Sequence, residues 1–312
     1  MGSTPAAEIV AAITILSCSN DLVLARSGVL ETDLGLRTSE PPSLRTSDLG
    51  PRTSDLGTMY IDINCDMGES FGPWRMGADD QVMPNITSAN IACGAHAGDP
   101  SVMRRTIRLA REAAVAIGAH PGFPDLQGFG RREIDIAVSE VEDSVVAQIG
   151  ALAAIARTEG MTLQHVKAHG ALYNMAARSR SLADALARAV RGFDASLVMF
   201  GLPGSPILEA ARDAGLRVAS EGFADRSYRV DGSLTPRTEP GAVIHDPVIV
   251  VERARRMVCD GVVQTADGRD VPLKIDTICV HGDTPGAADL TRRLRAALTE
   301  AGAIVQAVAA WR

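Results

Sequence analysis

Short apolar segments and longer helical segments alternate about seven times between residues 59 and 312. Several helical segments open on an Asp-Pro or Ser-Pro pair, as at Asp99, Ser205 and Asp246, which is a common helix start. An alternating order of strands and helices predicts parallel strands joined by right-handed crossovers. An open doubly wound sheet usually carries G-x-G-x-x-G after its first strand, and that motif is absent there. The pattern therefore favours an α/β fold, a closed or nearly closed (β/α) barrel of about seven strands.

The expected strands are short and apolar, as parallel strands are when both faces are covered. We place them at 60–65, 88–92, 117–119, 163–166, 196–200, 216–219 and 277–280. Residues 262–273 hold Asp267-Gly268 between two apolar runs, which predicts a β-hairpin. A long loop at 223–245 separates the sixth strand from the next helix.

Residues 1–58 have a different sequence pattern from the rest of the chain. The seven-residue segment 45–51 is followed by a near copy at 52–58; both contain glycine, and the first ends in proline. This favours a disordered tail or a misassigned start, with Met59 as the true first residue. We expect residues 59–312 to form a single barrel domain.

Composition narrows the choice of partners and compartment. Hydrophobic residues make up 46% of the chain and the formal net charge is −7, which argues against nucleic acid or an anionic membrane bound by charge alone. No apolar run approaches the length of a membrane span. The five cysteines show neither a C-x-x-C pair nor zinc-finger spacing, so reduced thiols in a cytoplasmic protein are expected.

Polar residues follow the expected strands, beside glycine or proline. They include four of the six histidines, and the set comprises Asp66, Glu69, His96, Asp99, His120, Lys167, His169, Glu221, His281 and Asp283. The densest stretch is 166–174, where Lys167, His169, Tyr173 and Asn174 crowd one strand-to-helix junction. Because the carboxyl ends of barrel strands carry the active site, this repetition predicts one catalytic cluster.

The residue types leave two chemistries open. Histidines with carboxylates suit a metal-hydroxide hydrolase, although no H-E-x-x-H pair is present. Carboxylates with lysine and histidine suit general acid–base chemistry on an amide or ester. Three arginines of the long loop, Arg226, Arg229 and Arg237, could hold a carboxylate or phosphate. No phosphate-binding P-loop occurs.

Seven runs of the sequence closely resemble the LamB/YcsF family, the A subunits of bacterial ATP-dependent 5-oxoprolinase. They lie at 61–69, 88–99, 118–122, 128–132, 166–174, 223–226 and 278–283. Together they extend over essentially all of residues 59–312. Ala95 and Ala168 depart from the family pattern, which usually has an aromatic residue and a proline there. Neither removes a polar group, so the departures concern the shape of the pocket.

The resemblance implies a barrel like that of polysaccharide deacetylases. It also implies hydrolysis of the lactam of 5-oxo-L-proline to L-glutamate, coupled to ATP (with magnesium), in a complex with subunits B and C. We expect Asp66 or Glu69 and His169 to handle protons, and Lys167 to stabilise an oxyanion or a phosphate. The expected catalytic residues are Asp66, Glu69, His96, Lys167, His169 and Asp283. The expected substrate-binding residues are Asn90, Asp99, His120, Tyr173, Asn174, Glu221, Asp225, Arg226, Arg237 and His281.

Two other classes of function remain open. One is a metal-dependent deacetylase-like amidohydrolase that acts without ATP. The other is a non-catalytic substrate-binding subunit whose partners carry out the chemistry. The sequence does not determine whether the site holds a metal.

Overall fold

The computed structural model of the protein describes residues 59–282 and 286–311. The expectation that residues 1–58 are disordered or precede the true start lies outside these residues. The same holds for Asp283, the one predicted catalytic residue that the described part of the chain does not include.

Seven parallel strands form a closed barrel, as the alternation of strands and helices predicts. The strands of the sheet and its hairpin are β1 (Met59–Met67), β2 (Ser88–Ala92), β3 (Ala116–His120), β4 (Leu163–Val166), β5 (Val198–Gly201), β6 (Arg217–Phe223), β7 (Val262–Gln264), β8 (Asp270–Pro272), β9 (Thr277–His281) and β10 (Ala303–Val305). Strands β1 to β6 pair in sequence, and β9 pairs with both β6 and β1, which closes the barrel. Strand β10 adds to the first residues of β1 from outside, and β7 with β8 forms the expected antiparallel hairpin.

Helices follow most of the barrel strands. They are α1 (Asp79–Val82), α2 (Pro100–Glu112), α3 (Val138–Thr158), α4 (Gly170–Ala176), α5 (Arg180–Phe193), α6 (Pro206–Asp213), α7 (Pro247–Cys259) and α8 (Ala287–Glu300). The side chains of Asp99 and Asp246 cap α2 and α7 by accepting backbone N–H groups, as expected. No helix in the described part of the chain is long and apolar enough to cross a membrane.

Several element boundaries differ from the sequence-based expectation, and β1, for example, continues to Met67. Strand β6 continues to Phe223, so Glu221 lies inside the strand rather than after it, because β9 offers backbone partners up to Cys279. Helix α4 begins at Gly170, which has a φ of +55°. A Cβ atom there would meet the carbonyl oxygen of Gly130 at 2.6 Å, so glycine permits both the turn and the close approach.

The barrel interior is polar, contrary to the expectation of strands that are apolar on both faces. Along β1, Ile61 and Ile63 join the core, whereas Asp62 and Asn64 are fully buried and hydrogen-bond to Thr277 of β9. Buried polar groups are stable only when they are hydrogen-bonded, so each inward side chain needs a partner on a neighbouring strand. These partners connect the strands across the interior and support the site above them.

The amino ends of the strands are closed by apolar residues. Val198, Phe200 and Ala219 form a small cluster with Val308, which lies in the 3₁₀ turn Val308–Ala310. The interior is therefore dry at one end and polar toward the carboxyl ends of the strands.

Candidate active site

The carboxyl ends of the barrel strands bring together most of the predicted catalytic residues. Two adjoining groups are present. The histidine cluster consists of Glu69, His96, His120 and His169, and the lysine network consists of Lys167 with Asp66, Glu221, Asn64 and Cys279. Asp66 connects the groups, because its Oδ1 lies 3.4 Å from His120 Nε2 and 3.0 Å from Lys167 Nζ.

Backbone carbonyls set the orientation of two imidazoles in the histidine cluster. His120 Nδ1 donates to the carbonyl oxygen of Lys167 at 2.8 Å, and His169 Nε2 donates to that of Phe129 at 2.8 Å. A carbonyl oxygen only accepts, so each ring carries a proton on that nitrogen. The remaining nitrogens, His120 Nε2 and His169 Nδ1, face each other at 2.9 Å.

His96 is the most enclosed member of the histidine cluster. Its residue exposure is 1%, its ring stacks on that of His169 with centroids 3.7 Å apart, and neither ring nitrogen has a hydrogen-bond partner among the described residues. Glu69 Oε1 lies 3.6 Å from His96 Nε2 and 3.6 Å from His169 Nδ1.

The glycine-rich loop covers these rings. A Cβ atom on Gly130 would lie 2.8 Å from Cβ of His96 and 2.9 Å from Cδ2 of His169, which explains why the loop carries glycine there.

Burial keeps the imidazoles of His96 and His169 neutral. Burial, followed by the charges of His169 and His120, lowers the pKa of His96 well below its usual range. Burial and the His120 charge lower the pKa of His169 to about 3. An imidazole ordinarily titrates near neutrality, but burial lowers the pKa of His169 so far that its ring is a free base at neutral pH. A neutral imidazole is the form that accepts a proton or binds a metal.

The lysine network holds one cation between two carboxylates. Lys167 Nζ lies 3.0 Å from Asp66 Oδ1 and 2.8 Å from Glu221 Oε1, and it also approaches Asn64 Oδ1 at 3.2 Å and Cys279 Sγ at 3.0 Å. Burial alone would lower the pKa of Lys167, but the Asp66 charge and the other nearby negative groups raise it well above its usual range. Burial would raise the pKa of Asp66, but the charges of His120 and Lys167 hold it well below its usual range. Both groups are therefore ionised at neutral pH.

Inward residues of β1, β2 and β4 support the network from below. Asn90 Nδ2 donates to Asn64 Oδ1 at 2.7 Å and to Asp66 Oδ1 at 2.9 Å, and Asn90 Oδ1 accepts from His165 Nε2 at 2.8 Å. Of these, Asn64 and His165 were not predicted as site residues. The signal for Asn64 is the two-residue spacing of Asp62, Asn64 and Asp66 along one strand, which places all three side chains on the inner face.

The long loop after β6 contributes a second polar chain at the rim. His281 Nδ1 donates to Asp225 Oδ2 at 2.7 Å, and Arg237 Nη2 donates to His281 Nε2 at 2.8 Å. His281 is the strand partner of Asp66 in the pairing of β9 with β1. The exposed cation of Arg237 therefore lies near the anionic centre of the barrel mouth.

Three predicted substrate-binding residues have structural roles or positions instead. Asp99 caps α2 and also accepts the Gly72 N–H at 2.7 Å, so its carboxylate is engaged in holding the turn. Arg226 is buried and donates to the carbonyl oxygens of Thr235 and Ala242, which braces its own loop. Asn174 is exposed on α4.

Tyr173, another predicted substrate-binding residue, is buried beside Glu221. Burial and the Glu221 charge raise the pKa of Tyr173 well above its usual range, so the phenol keeps its proton.

The comparisons with known proteins identify the family of the chain. The profile of the LamB/YcsF family matches residues 61–312, and the chain belongs to this family. A curated relative from Symbiobacterium thermophilum, named as the A subunit of 5-oxoprolinase, is 57% identical over 247 residues, covering 79% of this chain and 95% of the relative. A relative of the same name from Tolumonas auensis is 54% identical over 248 residues, covering 80% of this chain and 99% of the relative.

A solved structure supports the fold. The lactam utilization protein of Thermus thermophilus is 48% identical, with a TM-score of 0.77, and the match covers 80% of this chain and 100% of that chain. A peptidoglycan deacetylase, PdaC of Bacillus subtilis, matches at 12% identity and a TM-score of 0.39, over 80% of this chain and 87% of that chain. That likeness is too slight to carry a functional argument.

Proposed function

We propose that this chain is the A subunit of a 5-oxoprolinase and that its barrel mouth opens the lactam ring of 5-oxo-L-proline to give L-glutamate. The observation that carries the proposal is the ionised Asp66, held by Lys167 and bordered by the imidazole of His120, with the Arg237 cation nearby. The relatives named as A subunits of 5-oxoprolinase share more than half of their aligned residues with the chain, and this supports the choice of substrate.

Arg237 suits the carboxylate of the substrate. A guanidinium binds a carboxylate through two parallel hydrogen bonds, and Arg237 is exposed at the rim while its partner His281 is anchored by Asp225. A substrate held there would place its ring carbonyl toward Asp66.

Asp66 is the better candidate for general base. Its side chain is 11% exposed, whereas those of Glu69 and Glu221 are 7% and 0% exposed. Of the three carboxylates, that of Asp66 is therefore the most exposed at the barrel mouth. Removal of a positioned general base typically lowers a rate by about two to four orders of magnitude.

Lys167 is engaged within the protein. An ammonium has three N–H donors, and Lys167 Nζ already approaches Asp66, Glu221 and Asn64. The structure therefore favours a role for Lys167 in keeping Asp66 ionised. The sequence had instead led us to expect that Lys167 stabilises an oxyanion or a phosphate directly.

ATP makes the ring opening favourable. Transfer of the γ-phosphoryl group to the lactam oxygen releases ADP and leaves an electrophilic ring carbon. Asp66 takes a proton as water attacks that carbon, the ring C–N bond breaks, and the nitrogen gains a proton. A second water then hydrolyses the resulting acyl phosphate to glutamate and phosphate. Since the chain has no P-loop motif, we infer that partner subunits B and C complete the handling of ATP with magnesium.

The test is an assay of the full chain alone and after mixing with subunits B and C. We expect the mixture to release ADP and glutamate in equal amounts when 5-oxoproline is supplied, and the chain alone to release little of either. Full-rate ring opening by the chain alone would refute the need for partners.

A second candidate is an amidohydrolase that acts without ATP. It is favoured because Asp66, His120, Lys167 and Arg237 lie at one barrel mouth and the sequence has no P-loop motif. Hydrolysis of an amide by the isolated chain in the absence of ATP would establish it in place of the first.

A further inference from the structure

The facing nitrogens of His120 and His169 need a positive group between or beside them. His120 Nε2 and His169 Nδ1 are 2.9 Å apart, and in neutral rings both carry lone pairs, because the other nitrogen of each ring holds its proton against a backbone carbonyl. Two acceptors at this distance repel each other. The contact is satisfied either by a proton on one ring or by a cation that both nitrogens bind.

His96 favours the cation. An extra proton between His120 and His169 would leave both nitrogens of His96 buried without a hydrogen-bond partner in the described part of the chain, which is costly in a dry interior. A cation within the cluster would take the lone pair of His96 Nε2, the nitrogen that faces Glu69 at 3.6 Å.

The spacing of the donor atoms fits a tetrahedral ion. One donor atom from each of Glu69, His96, His120 and His169 lies within 4.8 Å of the others. Metal–ligand distances of about 2.0–2.1 Å place tetrahedral ligands about 3.3–3.4 Å apart. Three of the six separations are 2.9, 3.6 and 3.6 Å, on both sides of that value, and none of the six exceeds 4.8 Å, so side-chain movements of about an ångström would complete the geometry.

The ligand chemistry selects the class of metal. Three imidazoles with one carboxylate suit zinc and similar divalent transition metals, whereas magnesium and calcium prefer oxygen ligands. The carbonyls of Lys167 and Phe129 hold two of the rings from outside, as is usual for histidine ligands. The negative charge of Glu69 offsets part of the ionic charge.

We propose that Glu69, His96, His120 and His169 form a binding site for one divalent transition-metal ion of the zinc class. The ion would lie next to Asp66, whose Oδ1 is 3.4 Å from His120 Nε2. The site does not depend on the lactam reaction, and its occupancy is measurable without substrate or ATP.

The experiment is equilibrium dialysis of the full chain, stripped with a chelator, against Zn²⁺ alone, with a parallel titration by Co²⁺ followed by its visible absorption. We expect one ion per chain and the intense visible bands of tetrahedral cobalt. Glu69→Gln, which is nearly isosteric, and His96→Ala should each weaken Zn²⁺ binding by at least about tenfold. Zn²⁺ should also raise the melting temperature of the wild type more than that of Glu69→Gln.

The matched control is His245→Ala, which removes an exposed histidine and should leave Zn²⁺ binding unchanged. Absence of stoichiometric Zn²⁺ uptake by the wild type would overturn the assignment and favour the protonated histidine pair. Unchanged affinity in the folded Glu69→Gln variant would overturn it as well, whatever the folding of His96→Ala.

Discussion

The ammonium nitrogen of Lys167 lies 3.0 Å from a carboxylate oxygen of Asp66, although 101 positions separate the two residues in the chain. The pair is buried, and Lys167 also meets Glu221 at 2.8 Å. One cation therefore compensates two carboxylates inside the barrel. Mutation of Asp66 and of Lys167 can therefore separate an effect on activity from an effect on stability.

Asp66→Asn should reduce activity with little loss of stability. The asparagine oxygen still accepts from Asn90 and Lys167, and Lys167 keeps Glu221 as a counter-ion. Removing the general base should lower turnover of the assembled complex by about two or more orders of magnitude. Turnover and the urea unfolding midpoint should be measured together. Asn174→Ala, on the exposed face of α4, is the control and should retain wild-type turnover. Near wild-type turnover in Asp66→Asn would rule out Asp66 as the base.

Lys167→Met should instead destabilise the fold. It leaves the carboxylates of Asp66 and Glu221 buried without their cation, and breaking a buried pair from one side costs about 3–5 kcal/mol. Adding Glu221→Gln to this variant should restore part of the free energy of unfolding, because one uncompensated charge is then removed. Denaturant titration measures the free energy of unfolding of the single and the double variant. If the double variant is no more stable than Lys167→Met, the two residues are not coupled as the geometry indicates.

Asp62 should produce a measurable pH dependence of stability. Burial raises the pKa of Asp62 to about 6 despite hydrogen bonds from Thr277, Thr87 and Ser88. The folded pKa is above the ordinary value of 3.8, so the stabilising contribution is complete below about pH 4 and is lost as the pH rises through 6. A shift of about two units corresponds to about 3 kcal/mol.

Asp62→Asn should remove this loss. The unfolding free energy of the variant relative to wild type should rise by about 3 kcal/mol between pH 4 and pH 7, as followed by urea unfolding at several pH values. The control is Asp213→Asn, at an exposed carboxylate of α6. Its unfolding free energy relative to wild type should change much less between pH 4 and pH 7. Parallel pH profiles for Asp62→Asn and wild type would contradict the assignment.

Gly170→Ala should be more destabilising than Gly160→Ala. Both glycines have positive φ, +55° and +74°, so alanine incurs a left-handed backbone cost of about 1–2 kcal/mol at either position. At Gly170 the new Cβ also meets the Gly130 carbonyl oxygen at 2.6 Å, whereas at Gly160 no described atom lies within 4 Å. Thermal unfolding of the two variants tests the comparison. Equal losses would mean that the loop moves freely away from α4.

Much of the architecture was predictable from local sequence signals. The alternation of strands and helices, the helix starts at Asp99 and Asp246, and the hairpin around Asp267 are set within a few residues of chain, and the structure confirms them. The end of β6 was not predictable in this way, because its last residues are held in the strand by pairing with β9, more than 50 positions later.

The candidate site was predictable as a set of residues but not as an arrangement. Polar side chains after successive strands indicated that His96, His120 and His169 would lie at one mouth, and they do. The same reasoning placed Arg226 in the substrate site, where the structure shows it bracing its own loop. A long side chain in a loop can turn either way, and only the packed loop determines which carbonyls it meets.

The sequence by itself determined the barrel, its family and the identities of the groups at its mouth, because periodicity, caps and motifs are properties of neighbouring residues. Only the tertiary structure decided which groups touch. Closing the sheet through β1 and β9 brings Asn64 within 3.2 Å of Lys167 and Lys167 within 3.0 Å of Cys279, contacts that span 103 and 112 positions. The closed barrel also brings His120 and Lys167 beside Asp66, and their charges keep Asp66 ionised. The backbone carbonyls of Lys167 and Phe129 likewise set which imidazole nitrogens face the histidine cluster, since a hydrogen bond depends on position and direction that a linear pattern does not contain.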